Sequence, residues 1–461
     1  MRRLIVKCKS RRQLPLGRRD LEALSSLERT KLRALSRGIK NFCSLYRVAH
    51  QRRLKQLLKL AILQQFIEVI KIVVVEIPER PPKVVYLPRT FNSMETIFRE
   101  KGDECSQQFR FHSFDCLREL KRCFRIPDGF ITVGKGYKMF NEEIIMVSLT
   151  RLHYPLTWHM VKKDFPGRER WSLQAAFYWF LDFMIHEWSY LLLNNLHYWL
   201  PYLAASSEAI RIKLQNLNWI SWRQFYPPAH EPGGFVICGF IDCTIYAFCR
   251  PGGVTGDGPA AFRVPQEVQE AWWTGWKKLH GLKWQSIILA NGMDLQLYGP
   301  LSVRRNDLKA LERSLFEENF MNLQQGQPVI FKIFGDSAYE DTDTIATGAV
   351  QAMASVRETV EWSYKDSKTL WKYCDYKHCL KIRQQPLGKI IFVSMLLRNA
   401  FITLCGSQIL EYLDILPPSL ENWTSQGPRA RPIPQNSCFH PDFVVDDDDD
   451  DVDDDDIDSD L

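Results

Sequence analysis

Two aspartates close apolar, strand-like runs: Asp242 follows Phe235-Val-Ile-Cys-Gly-Phe-Ile, and Asp336 follows Val329-Ile-Phe-Lys-Ile-Phe-Gly. A carboxylate at the end of a buried strand is costly unless a cation compensates it. Residues just beyond strand ends also line the functional crevice of an open α/β sheet. On neighbouring central strands the two would point at one spot, a hard-oxygen site suited to Mg²⁺ or Mn²⁺. Two such ions, about 3.5–4 Å apart, activate the attacking oxygen and stabilise the leaving one in an in-line phosphodiester displacement. Taken singly, each aspartate reads more simply as a turn or helix-cap residue.

Further acidic candidates follow. Glu358 and Glu361 lie three residues apart near one face of a helical stretch. Asp307 opens another helix, where a first-turn carboxylate is favoured by the helix dipole alone. From Glu361, Lys365, Lys368 and Lys372 recur at spacings that share a helical face. Such a stripe would guide phosphates toward a metal centre, or be an ordinary solvated face with an i,i+4 Glu–Lys pair.

The elements that must position these residues run from 233 to 405. Phe235 to Asp242 is apolar on both faces, as a doubly covered central strand requires. Lys283–Ala290 and Met293–Tyr298 flank Asn291-Gly292, the signal of a type I′ hairpin. A helix is expected over Asn306 to Glu318, a strand over Val329 to Phe334 and a long helix over Thr344 to Lys372. Leu387 to Leu404, broken mainly by Lys389, Arg398 and Asn399, reads as a buried helix behind the sheet. This order of strand, antiparallel hairpin, helix, strand and helix fits a ribonuclease-H-like mixed sheet with helices on both faces.

Upstream, Glu142–Leu152, Thr157–Phe165 and a helix capped by Ser172 form a triplet with short turns. Arg168, Arg170 and Trp171 precede its last member. The triplet is similar to a helix-turn-helix unit that would set Arg168 and Arg170 on DNA; a plain helical bundle packed on the next domain is slightly favoured, because helix triplets are common and groove-reading ones are not.

Four segments in order carry a family resemblance: Gly239-Phe-Ile-Asp242-Cys-Thr244, Tyr298-Gly-Pro-Leu-Ser-Val-Arg-Arg-Asn-Asp307, Gly335-Asp336-Ser-Ala-Tyr339 and Arg357-Glu-Thr-Val-Glu361. They resemble the successive motifs of the DDE superfamily endonuclease domain of PIF/Harbinger-type transposases. Trp276-Lys-Lys-Leu-His-Gly-Leu-Lys-Trp284 is similar to that family's approach to the second strand. The resemblance covers roughly residues 233–405. It implies Asp242, Asp336 and Glu361 as catalytic metal ligands, with Asp307 as an accessory one. The match at Asp307 is looser, because Gly-Pro stands where the family has Gly-Ser. Ser363-Tyr364 also replaces the Phe-Gly that often follows the glutamate. The resemblance further implies two Mg²⁺ (or Mn²⁺) ions, double-stranded DNA (transposon ends and target), a Myb-like DNA-binding partner, a homo-oligomer and a nuclear location.

Charge supports a polyanionic partner. Residues 1–60 hold 18 Lys/Arg against 3 Asp/Glu, and residues 446–461 hold 12 Asp with no base. The basic arm suits DNA through counterion release, or is a solvated helix. The acidic run cannot fold on itself and is a solubilising tail or a DNA mimic that competes for the arm. Twelve scattered cysteines without a CxxC pair suggest reduced thiols rather than a disulfide scaffold, and zinc spacing is incomplete. Four charges between Leu57 and Ile77 argue against a membrane span there.

The expected organisation is a basic helical arm (1–77), a linker and unassigned region (78–135), a helical unit (136–205), the nuclease domain (206–425) and a linker with acidic tail (426–461). The expected function is DNA cleavage and joining by a two-metal mechanism. The alternatives are a catalytically inactive DNA-binding relative and a phosphoesterase of another fold acting on small esters.

Overall fold

A computed structural model of the chain describes residues 93–193, 195–217, 234–251, 269–348, 351–382 and 384–429. The chain divides into two compact units at Val84/Val85, and every described residue belongs to the second. The basic arm, the Pro-rich segment at 78–90, most of the Gly-rich excursion after Arg250 and the acidic tail lie outside the described residues.

The described part opens with three short helices, α1 (Met94–Lys101), α2 (Asp103–Phe109) and α3 (Phe114–Cys123). Ser93 and Ser113 cap α1 and α3 by accepting the Thr96 and Cys116 N–H groups. The region read from sequence as unassigned is thus largely helical. A hairpin of β1 (Phe130–Val133) and β2 (Tyr137–Phe140) leads into α4 (Asn141–His153), α5 (Trp158–Asp164) and α6 (Arg170–Trp188). Thr157 caps α5 as its position suggested, accepting from the Met160 N–H. Ser172 does not cap α6: the helix begins at Arg170, and the Ser172 hydroxyl donates back to the Glu169 carbonyl. Two more helices, α7 (Tyr190–Leu193) and α8 (Leu196–Asn216), lead to the sheet.

The remaining elements are β3 (Phe235–Phe248), β4 (Trp273–Thr274), β5 (Leu279–Leu289), β6 (Asp294–Ser302), α9 (Asp307–Ser314), α10 (Phe316–Gln324), β7 (Ile330–Phe334), β8 (Ile345–Ala346), α11 (Gln351–Leu370), α12 (Lys372–Asp375), α13 (Leu387–Cys405), α14 (Gln408–Leu413) and α15 (Leu420–Trp423). The protein is mixed α/β, with a six-stranded mixed sheet flanked by helices. β3 is central: it pairs antiparallel with β5 and parallel with β7; β8 continues the parallel side, and β4 and β6 both pair with β5.

Three expected boundaries move. β3 runs six residues past Asp242, because Cys243 to Phe248 keep pairing with β5 after the β7 pairing has ended at Phe240. The 306–318 helix is broken at Leu315, which takes a left-handed φ of 52° between α9 and α10. The 344–372 stretch starts as β8, and α11 ends at Leu370, so Lys372 belongs to α12. The β5–β6 hairpin forms where expected, but only Gly292 has a positive φ (74°), so its turn is not the type I′ pair.

Alternation along β3 assigns its faces. Tyr246 donates to Ser367 on α11 and touches Met395 on α13, so the even-numbered side chains face those two helices. Cys243 packs with Tyr298, Leu301 and Ala310, which puts α9 on the opposite face. One buried cluster extends from Met94 to Trp423, so the helices before residue 205 share a core with the sheet. α13 is long and apolar enough to cross a membrane by composition, yet 72% of its apolar window is buried within the chain. At its middle, Arg398 pairs at 3.1 Å with Asp294 on β6, both fully buried, and also donates to the Gly292 carbonyl at 2.9 Å. Asn399 closes the junction with two backbone bonds to Asp294.

Candidate functional site

The centre forms where β3 and β7 part. Their last register pair is Phe240 with Phe334; Asp242 and Asp336 each lie two residues further on. Gly239 permits this crowding, since a Cβ there would sit 2.4 Å from the Ile288 carbonyl oxygen on β5. Gly335 leaves room for the buried Tyr339 ring, whose Cδ2 would lie 2.8 Å from an added Cβ. The turn after Gly335 is held by Asp336 itself: its Oδ1 accepts the Ala338 N–H at 3.0 Å and its carbonyl accepts the Tyr339 N–H at 3.2 Å. The Tyr339 hydroxyl lies 3.5 Å from Cys243 Sγ. The glycines and tyrosine of these two segments therefore have packing reasons to be what they are.

α11 runs beside the second half of β3 and supplies the third carboxylate. Arg357 links the two elements: Nη1 lies 3.8 Å from Asp242 Oδ2, and Nη2 lies 3.4 Å from Glu361 Oε1. One turn on, the Tyr364 hydroxyl donates to the Asp242 carbonyl at 2.6 Å. Of the two glutamates, Glu361 is thereby the one tied to Asp242, with its side chain 56% exposed; Glu358 is exposed on the same helix and makes no such link.

Burial pushes the Asp242 carboxyl up to about 7, opposed by the Cys243 N–H and the Arg357 guanidinium and reinforced by the Asp336 and Asp307 carboxylates. Asp242 is thus a poorly solvated carboxyl among other acids, short of positive charge.

Asp307 stands apart. Lys283 is the register partner of Ile245, so it shares the face opposite Asp242, and its Nζ lies 2.7 Å from Asp307 Oδ1. Asp307 is the first residue of α9, behind the Asn306 cap, in the role that a helix start and a buried lysine explain without a metal. Among the described residues, no three His, Cys, Asp or Glu side chains stand together as a ready ligand set.

The basic candidates separate similarly. Lys365 is exposed, whereas Lys368 is half-buried, with Nζ 3.5 Å from the Ile245 carbonyl and 5.0 Å from the Tyr246 ring centre. Lys372 is exposed on α12, outside the α11 stripe. Arg170 is exposed at the start of α6. Arg168 is interior: it grips Glu143 through two bonds of 2.7 and 2.5 Å and donates to the Lys138 carbonyl at 3.3 Å. That pair fastens α4 to the turn before α6, so Arg168 is not displayed to a polyanion. Sequence reasoning missed Arg357 and Lys283, which hold the carboxylates, and Tyr364, which holds the Asp242 backbone. Arg357 stood in the fourth motif, but only the fold sets it opposite Asp242.

Comparison with family models, with curated protein sequences and with solved structures finds no match for this chain.

Proposed function

We propose that the protein is a metal-dependent nuclease of the DDE transposase type, acting on DNA through Asp242, Asp336 and Glu361. The observation that carries this reading is the meeting of Asp242 and Asp336 at the parting of β3 and β7, with Glu361 joined to Asp242 through Arg357. The central β3, the antiparallel hairpin on one side and the parallel strands on the other support a ribonuclease-H-like plan for the sheet. The donors fit a hard divalent cation: they are carboxylate oxygens, and burial and neighbouring acids hold the first of them up to about 7. When bound, a pair of such ions would activate the attacking oxygen and stabilise the leaving one.

The chain's own residues have separate tasks. Asp242 and Asp336 would hold the ions from adjacent strands, and Glu361 would complete the site from α11. Arg357 orients Asp242 and Glu361 and is placed to meet a phosphate once the carboxylates turn to metal. Lys365, exposed one turn beyond Glu361, would guide the phosphates. Asp307 is left with Lys283.

The test is Mg²⁺-dependent nicking of supercoiled DNA by the purified full chain. Asp336→Asn and Glu361→Gln should each abolish it; unchanged nicking by either variant sinks the assignment. A second reading is a DNA-binding relative without catalysis, for which the observation is that Arg357 bridges Asp242 and Glu361 as they stand. DNA binding with neither nicking nor Mg²⁺ binding by calorimetry would select it.

A further inference from the structure

Six residues beyond Asp242, about 20 Å along the strand, β3 ends at Phe248, the register partner of His280 at the start of β5. The turn that precedes His280 is Gly275-Trp-Lys-Lys278, joining β4 to β5. Trp276 at its tip is 85% exposed, the most exposed aromatic ring among the described residues. Lys278 holds the turn with a φ of 50°, a conformation that residues bearing a Cβ disfavour. A bare indole in water is unusual for a soluble surface unless something covers it.

The surroundings indicate what covers it. Lys277 Nζ lies 5.0 Å from the Trp276 ring, and among the described residues no carboxylate pairs with Lys277 or Lys278. Trp273, 39% exposed, lies 4.8 Å from the His280 ring at a 54° tilt, and Arg250 stands nearby, donating to the neutral Gln269. Lys368 lies between this end and the carboxylates; burial lowers its ammonium, Asp375 opposes that, and Lys277 adds to it, which places the Lys277 charge close by. Among the described residues, the acidic groups at this end are Glu270 and Asp375. Aromatic faces interleaved with unpaired cations suit a nucleic-acid strand, with bases stacking on the rings and phosphates meeting the lysines. An apolar protein partner would not call for this surplus of bare ammonium groups.

We propose that the β4–β5 turn is a base-stacking platform, on which Trp276 takes an unpaired DNA base while Lys277, Lys278 and Lys368 carry its backbone away from the carboxylate centre. This rests on the reading of that centre as a DNA nuclease and adds what the DNA must offer: an unpaired segment or frayed end about 20 Å from the scissile bond.

The experiment is fluorescence anisotropy on the full chain, with a labelled single-stranded oligonucleotide and with the same sequence as a duplex, beside the nicking assay. Trp276→Ala should weaken single-strand binding roughly tenfold or more, and Trp276→Phe should restore most of it. Replacing Lys277 and Lys278 by Gln should flatten the salt dependence of log K by about 1.4. Equal single-strand affinity for Trp276→Ala and wild type overturns the platform. So does an effect of Trp276→Ala confined to self-association in sedimentation, which would mark a protein contact. Nicking without Trp276 dependence sinks the platform alone, and Trp276-dependent binding without nicking sinks the nuclease reading alone. No oligonucleotide binding by the wild type sinks both.

Discussion

Replacing Arg398 by Met keeps much of the side chain's volume in α13 but strips Asp294 of its guanidinium, where both residues are fully buried. Asp294 would keep the Ser286 hydroxyl and its own backbone N–H, both neutral donors, on its carboxylate, and burial already pushes this carboxyl up with the arginine in place. The unpaired carboxylate therefore folds by taking a proton. Protonating a carboxyl of ordinary pKa, about 3.9, costs about 4 kcal/mol at pH 7 and about 1.5 kcal/mol at pH 5. The lost bond to the Gly292 carbonyl adds about 1 kcal/mol at either pH. The sign follows from a folded-state pKa raised above the unfolded one: stability is full below about pH 4 and falls as pH rises. Urea denaturation followed by circular dichroism at pH 5 and pH 7 should show a deficit larger at pH 7, by up to about 2.5 kcal/mol. Adding Asp294→Asn should remove that pH dependence and recover most of the loss. A deficit independent of pH would mean that Arg398 matters for packing, and that the buried charge argument is wrong.

Three further outcomes follow from the same physics. Asp242→Asn removes a carboxyl that burial holds up to about 7. In metal-free buffer at pH 8 it should therefore stabilise the fold, by up to about 4 kcal/mol, while abolishing nicking; a lower thermal midpoint refutes this. Gly239→Ala places a Cβ against the Ile288 carbonyl and should cost about 1–3 kcal/mol by forcing β3 from β5; a denaturation midpoint equal to wild type would contradict the close approach. Arg168→Ala leaves Glu143 buried and unpaired and should cost about 3–5 kcal/mol. A variant of full stability with weakened DNA binding would instead restore Arg168 to a binding surface.

What could be read from the sequence was what depends on local pattern. The run Phe235–Ile241 is apolar at every position, so a doubly covered strand followed directly, and α13 was visible as a long apolar stretch with few polar breaks. The extent of β3 was not legible. Cys243 to Phe248 stay in the strand through pairing with β5 alone, a partnership that leaves no mark on their own spelling. The caps Ser93 and Ser113 were local signals for α1 and α3 that charge-rich surroundings obscured. At the site, motif order brought Asp242, Asp336 and Glu361 forward together. It gave no warning that Asp307 would pair with Lys283, because register decides which side chains can meet: Lys283 stands opposite Ile245. Arg168 failed for a related reason. An arginine before a helix is equally a DNA contact or half of a buried pair until Glu143, 25 residues earlier, is known to face it.

The role of Arg357 follows from the same dependence on register. Asp242 lies where β3 has lost β7 but kept β5, so one side of its carboxylate opens while the strand still buries the rest. A carboxyl so placed must be neutral, paired or bound to a cation, and the pairing available from α11 is loose, 3.8 Å on an arginine shared with Glu361. A tight bidentate pair would lock the carboxylates and make metal entry costly; no pair at all would leave Asp242 protonated near pH 7. The shared arginine favours the ionised form of Asp242 and links it to Glu361, and a cation of higher charge could displace it. On the nuclease reading, replacing Arg357 by Gln should therefore raise the pH needed for Mg²⁺ binding rather than abolish it.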